Sequence, residues 1–194
     1  SGKLTARQAF NCDLLGKYFA ICDVFGAQHA TTWNNMRFYF NPVSQLLEPI
    51  GFDADAGLPI QRIGFTSNIG TSSDTQRQKF HDQLASDIQF TSAYYKWLSE
   101  YANESIIEEW ESEYQGATAR YETLIQAEYP HYQFSWDTVR RNQEFVREQL
   151  RRKPKPIASA LIRGSYRFIL AANHSPVPIT CQSVRIGDQL IELD

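Results

Sequence analysis

No apolar run in this chain of 194 residues approaches the ~20 residues that a helix needs to cross a bilayer. No membrane contact is therefore expected from this segment, and no stretch reads as a signal peptide. Positive charge is not in surplus either. The 19 lysines and arginines face 22 aspartates and glutamates, for a net charge of -3. There is no basic, aromatic-interleaved stripe, so no nucleic-acid partner is expected. The one basic run, Arg147 to Lys155, falls at the end of a predicted helix, where cations complement the carbonyl end of the dipole.

Methionine is almost missing. The chain opens Ser1-Gly2-Lys3 and its single methionine is Met36, which reads as a piece of a longer protein. Cysteine is scarce and never spaced as CxxC. Cys12 and Cys22 lie on one predicted helix, ten residues and thus ~15 Å of rise apart, too far for a disulfide. Cys181 is distant in sequence. Three such thiols suggest buried side chains and leave the compartment open, a cell-envelope or extracytoplasmic setting included. His81, His131 and His174 show no metal spacing with each other or with the cysteines, so they suggest no zinc site.

What is present is a hydrophobic share of 42% with 13% aromatic residues, enough for an ordinary core. A first helix is expected over 7–25, with Phe10, Leu14, Tyr18, Cys22 and Phe25 on one face, Thr5 and Gln8 as a capping box and Gly26 at its end. A hairpin follows, MRFYF turning through Asn41-Pro42-Val43-Ser44 and returning as LLEPIGF. Residues 54–75, with four separate turn signals in Gly57, Pro59, Gly64 and Gly70, read as an irregular, exposed loop. Phe80, Leu84 and Ile88 mark one helix, and Tyr94, Leu98 and Tyr101 a shorter one begun near Thr91.

The clearest helix is 106–128, with a Ser105/Glu108 capping box and Ile106, Trp110, Tyr114, Ala117, Tyr121, Leu124 and Ile125 as its apolar face. Another begins after Ser135 and stops at Pro154 and Pro156. SYRFILAAN, PITCQSVRI and QLIEL then read as strands. The expected fold class is α+β, mostly helical, divided into residues 1–156 and a β-rich extension, 157–194.

The chemistry gathers at the hairpin. Asn34 and Asn35 sit before its first strand, and Asp53 and Asp55 after its second. Antiparallel strands share their ends, so these residues should be neighbours despite the 18 positions from Asn35 to Asp53. Carboxylate and carboxamide oxygens suit Mg²⁺. The alternative is structural, with the asparagines capping backbone groups and the aspartates opening a loop.

DLLGKYFAICDVFG, NNMRFYFNP, LEPIGFDAD, FTSAYYKWLSEY and FSWDTVRRNQEFVREQL together resemble the C-terminal half of the CotH-type (spore coat protein H) kinase family, over roughly residues 5–150. The resemblance implies a protein-kinase-like C-lobe, with Asn35, Asp53 and Asp55 carrying the metal and Asn34 beside the nucleotide. The family's catalytic-loop aspartate aligns with His29 or Gln28, so His29 is the candidate base. A glycine-rich loop and a strand lysine are not found in this sequence, so the partner expected for this segment is an N-lobe carried elsewhere in the parent chain. What the resemblance implies is transfer of the ATP γ-phosphoryl group to a protein substrate with Mg²⁺. A non-catalytic, pseudokinase-like scaffold is the alternative.

Overall fold

Asn11 splits what the periodicity predicts as one helix. In the computed structural model, α1 spans Ala6–Ala9 and α2 spans Cys12–Val24. Asn11 has an extended backbone, and its side chain accepts from the Leu14 amide at 3.2 Å, the geometry of an N-cap. The break is used. Phe10 bridges to Leu47, and the Asn11 amide donates to the Leu47 carbonyl at 3.0 Å, so the hairpin is tied to the gap between helices. The Thr5–Gln8 capping box forms as expected.

The structure describes residues 4–63, 75–152, 156–163, 166–173, 183–186 and 188–192. They belong to an α+β, mostly helical chain of two compact units, Ser1–Leu150 and Arg151–Asp194. In the first unit, α2 leads through a 3-10 turn, Gln28–Thr31, into β1 (Arg37–Asn41) and β2 (Leu46–Ile50). Then come α3 (Thr75–Ser86), α4 (Ile88–Tyr101), α5 (Glu104–Gln126) and α6 (Trp136–Arg151). No helix among the described residues is long and apolar enough to cross a membrane.

Core formation starts with α2 against α4. Leu15, Phe19, Ala20 and Val24 are at most 1% exposed, whereas Leu14 of the predicted face is 38% exposed. The inward face is therefore rotated by about one residue from the expected stripe. Gly16 sets the spacing, since a Cβ there would lie 2.6 Å from the Tyr94 backbone nitrogen. Phe19 and Phe90 meet edge to face, with centroids 5.4 Å apart.

Ile88 does not close the helix before it. It opens α4 and is 66% exposed, because Asp87 interrupts the pattern. Asp87 Oδ1 accepts from the Gln89 and Phe90 amides, and Oδ2 accepts from the Ala6 amide at 3.1 Å, so one carboxylate serves two helix starts. Similarly, α5 starts at Glu104 under Asn103 instead of under Ser105.

The stretch expected as an exposed loop is irregular over 51–63 but pinned. The Asn142 carboxamide on α6 donates to the Leu58 carbonyl at 2.9 Å and accepts from the Ile60 amide at 3.0 Å. Ile63 is buried. Gly26, with φ +63°, passes so close to Leu58 that a Cβ would collide with its carbonyl. Residues 64–74 of the expected loop lie outside the described residues.

Among the described residues, the second unit contains two antiparallel strand pairs. β3 (Pro156–Arg163) pairs with β4 (Tyr166–Asn173), and β5 (Ser183–Ile186) with β6 (Gln189–Glu192). Pro156, expected to end a helix, opens β3, a position where its missing N–H is tolerated. The start of the expected strand PITCQSVRI, with Cys181, lies outside the described residues.

Candidate functional site

The hairpin pairs Arg37 with Ile50 and Asn41 with Leu46. Asn41 Oδ1 accepts from the Val43 amide at 2.9 Å and the Ser44 amide at 3.3 Å, and Gln45 takes φ 58° to complete the turn. At the other end Arg37 closes the mouth. Its guanidinium donates to the Asn34 carbonyl at 2.7 Å and lies 4.5 Å from the Phe52 ring centre, linking the chain before β1 to the chain after β2.

His29 belongs to the 3-10 turn that faces this mouth. Its backbone carbonyl accepts from Thr32 Oγ1 at 2.8 Å and from the Asn35 carboxamide nitrogen at 3.2 Å. Its Nε2 lies 3.3 Å from Asp53 Oδ2, with both side chains about half exposed, 52% and 53%. His29, Asn35 and Asp53 are thus brought together although 24 positions separate the first from the last. The Asn34 carbonyl is held by Arg37, and no contact of its side chain with His29, Asn35 or Asp53 is seen among the described residues. Asp55 is exposed two residues beyond Asp53, and both have positive φ, 46° and 47°.

That conformation is uncommon for residues other than glycine, and Asp and Asn tolerate it best. Half exposure makes the imidazole–carboxylate pair worth about 0–1 kcal/mol in stability. Its interest is chemical. A carboxylate beside Nε2 is the kind of neighbour that can orient an imidazole so that Nδ1 faces outward.

The donor set can be tested against Mg²⁺. Among the described residues, no three His, Cys, Asp or Glu side chains group as a metal site. A cation here would therefore need a carboxamide as well. Asn35 uses its nitrogen on His29, which leaves its oxygen as a hard donor. Asp53 presents one oxygen to His29 and keeps the other. These two residues fit Mg²⁺ by ligand type, with water completing the shell.

Behind the turn lies a pair of residues that the sequence reading did not assign. Asp23 is 1% exposed near the end of α2, and Tyr94 Oη donates to its Oδ2. Gln28 donates to Asp23 Oδ1 at 2.7 Å and to the Arg62 carbonyl at 2.9 Å, anchoring the residue next to His29. Burial, with Asp23 adding to it, pushes the neighbouring Cys22 thiol up to about 12, so this cysteine is an inert core residue. The available signal was a carboxylate between Cys22 and Val24 on an otherwise apolar helix end.

A second concavity, of about 580 Å³, is formed by α2, α5 and the approach to α6. Its floor includes Tyr101 and Trp110, packed edge to face with centroids 5.1 Å apart. Phe134 and Trp136 close one side, also edge to face, at 5.3 Å. Glu122 Oε1 accepts from the Phe134 amide at 2.7 Å and holds that side in place.

No family model, curated protein or solved structure matches the chain.

Proposed function

We propose that residues 1–150 are a protein-kinase-like C-lobe of the CotH type, part of an enzyme that transfers the ATP γ-phosphoryl group to protein hydroxyls with Mg²⁺. One observation supports this reading above the others. His29 Nε2 lies 3.3 Å from Asp53 Oδ2, and Asn35 donates to the His29 carbonyl, so three positions singled out by the resemblance meet at one hairpin mouth. Asp53 and Asn35 would hold the cation, with Asp55 in support and Asn34 nearest the nucleotide. Bound Mg²⁺ would supply charge neutralisation for the phosphates. His29 would accept the proton of the substrate hydroxyl at Nδ1, oriented by Asp53 at Nε2. Gln28, fixed by buried Asp23, holds the turn that presents His29.

The experiment is calorimetric titration of the full-length parent, N-lobe included, with ATP in the presence and absence of Mg²⁺. Binding should require Mg²⁺, and Asp53→Asn should weaken it by about tenfold or more, since a hard cation loses its charged ligand. ATP affinity indifferent to both Mg²⁺ and Asp53→Asn would remove the proposal.

A non-catalytic interaction module is the second reading. The aromatic concavity favours it, because a binding role needs a preformed apolar surface and no metal.

A further inference from the structure

Arg37, exposed at the start of β1, is held differently from Arg140 and Arg147. Arg140 faces Glu111 and Asp137, and Arg147 faces Glu104 and Glu144, so each of those guanidiniums meets two carboxylates. Arg37 instead commits Nη1 to two neutral groups, the Asn34 carbonyl at 2.7 Å and the Met36 carbonyl at 3.0 Å. The Phe52 ring supports it, 4.5 Å from ring centre to guanidinium carbon. The cation is fixed in place but not neutralised.

The nearby carboxylates are engaged elsewhere. Glu48, on the strand paired with β1, accepts from the Asn41 carboxamide at 2.8 Å. Asp53, next to Phe52, faces His29 at 3.3 Å. Among the described residues, no carboxylate pairs with Arg37 and no acceptor takes its Nε or Nη2 protons. That edge is the one that meets a carboxylate or phosphate through two parallel hydrogen bonds. Immobilising so long a side chain costs entropy, and here the ordering precedes any ligand.

The edge belongs to the same mouth as the proposed cation ligands. Arg37 holds the Asn34 carbonyl, and the next residue, Asn35, holds the His29 carbonyl. A bare anion would be repelled there by Asp53 and exposed Asp55. A phosphate that arrives with Mg²⁺ would meet oxygen ligands and a guanidinium together. The occupant that suits both is a metal-bound polyphosphate.

We propose that Arg37 is the phosphate-binding residue of the hairpin mouth, its Nε–Nη2 edge gripping the terminal phosphate of the nucleotide whose Mg²⁺ is held by Asp53 and Asn35. The identity of the anion rests on the phosphotransfer reading, and the grip itself rests on the unpartnered guanidinium edge. Phosphoryl transfer spreads negative charge over the equatorial oxygens, and a guanidinium already in place offsets it without rearranging.

The test follows the Arg37 Nε–H resonance by nuclear magnetic resonance in the ¹⁵N-labelled full chain, assigned by its disappearance in Arg37→Lys. The titrants are tripolyphosphate with and without Mg²⁺, adenosine, and phosphoserine. Magnesium tripolyphosphate should move the resonance and adenosine should not. Bracing of the mouth alone would not produce that response, and the readout is taken on the unsubstituted chain, so it holds even if a variant disturbs the hairpin. Arg37→Lys keeps the charge but loses the two-pronged edge, and should weaken magnesium tripolyphosphate by about tenfold, read on the backbone amides of the mouth. An unmoved Arg37 resonance, or Arg37→Lys binding as tightly as the parent, overturns the inference. If Arg37 is silent while Mg²⁺ and Asp53→Asn still govern binding, the inference falls and the phosphotransfer reading survives. If the resonance moves equally without Mg²⁺ and in Asp53→Asn, Arg37 stands as an anion site and the metal reading falls. Phosphoserine binding more tightly than magnesium tripolyphosphate would assign the edge to a phosphorylated protein and overturn the nucleotide.

Discussion

Helices α2 and α5 carry the same signature, aromatic and aliphatic residues recurring at the helical period, and the fold treats them in opposite ways. On α2 the apolar side chains are consumed by the core, with Leu15, Phe19, Ala20 and Val24 at most 1% exposed. On α5 only Ile107, in the first turn, is buried, and Tyr121 and Leu124 remain 61% and 59% exposed. The difference lies in what each helix meets. α2 has Gly16, which admits the α4 backbone to contact distance, while α5 continues past its neighbours and leaves its stripe as one wall of a groove. Periodicity reports that a stripe exists, and packing decides whether anything covers it.

The contrast is broken most severely by truncating one aromatic residue on each helix. Phe19→Ala removes a fully buried ring from the α2–α4 contact and should destabilise the chain by about 3–5 kcal/mol in urea unfolding. Tyr121→Ala should stay within about 0.5 kcal/mol of the parent. Comparable losses at the two positions would mean that α5 is covered after all.

The two helical glycines sharpen the same point with one added methyl group each. Gly16→Ala would place a Cβ 2.6 Å from the Tyr94 nitrogen and 2.8 Å from the Ala93 carbonyl carbon. Backbone cannot yield cheaply, so a loss of about 1–3 kcal/mol is expected. Gly116, in mid-α5, has nothing within 4 Å of its would-be Cβ. There Ala should stabilise the helix by about 0.5–1 kcal/mol, through propensity alone. Opposite signs in paired thermal melts are the expected result.

Alkaline pH should also act on α2 in preference to α5. Burial raises the Cys22 thiol from 9.0 to about 12, with the Asp23 charge adding to it. The unfolded chain releases this proton near pH 9 while the folded chain keeps it, so the unfolded state binds fewer protons and stability falls with rising pH. The contribution is complete below pH 9 and is lost progressively toward pH 12, at about 1.4 kcal/mol per pH unit for one such group. Cys22→Ala should flatten that slope in denaturant unfolding between pH 9 and 11. An unaltered slope would place the alkaline sensitivity elsewhere.

Legibility followed the range of the interaction. The Thr5–Gln8 capping box, the β1–β2 hairpin and the alternation of helices with a β-rich end were readable because each depends on neighbours in sequence. Asn11 and Asp87 broke elements that periodicity joined, since an Asx cap competes with continuation and leaves no gap in the apolar pattern. The pinning of residues 58–60 by Asn142 was invisible, because that carboxamide lies 82 positions from Ile60. At the hairpin mouth, antiparallel geometry made the pairing of Arg37 with Ile50, which returns β2 to the start of β1, foreseeable. The contact between Asp53 and His29 depends also on Gln28 and buried Asp23, which no local pattern announces.

The smallest expected effect falls at Asp53, and its smallness separates a chemical role from a structural one. Asp53 has φ 47°, a conformation that Asn accepts at least as well as Asp and that a β-branched residue resists. Asp53→Asn therefore keeps the turn and removes only the charge that faces His29. Because that pair is half exposed, the stability change should stay within about 0.5 kcal/mol. Asp53→Val should lose about 1–2 kcal/mol through backbone strain. If the carboxylate exists to bind a cation, Asp53→Asn alone should weaken Mg²⁺-dependent ATP binding by about tenfold or more while its melting curve overlays that of the parent. If its task is to hold the loop, the Asn variant should melt several degrees lower, and the ion requirement should not change.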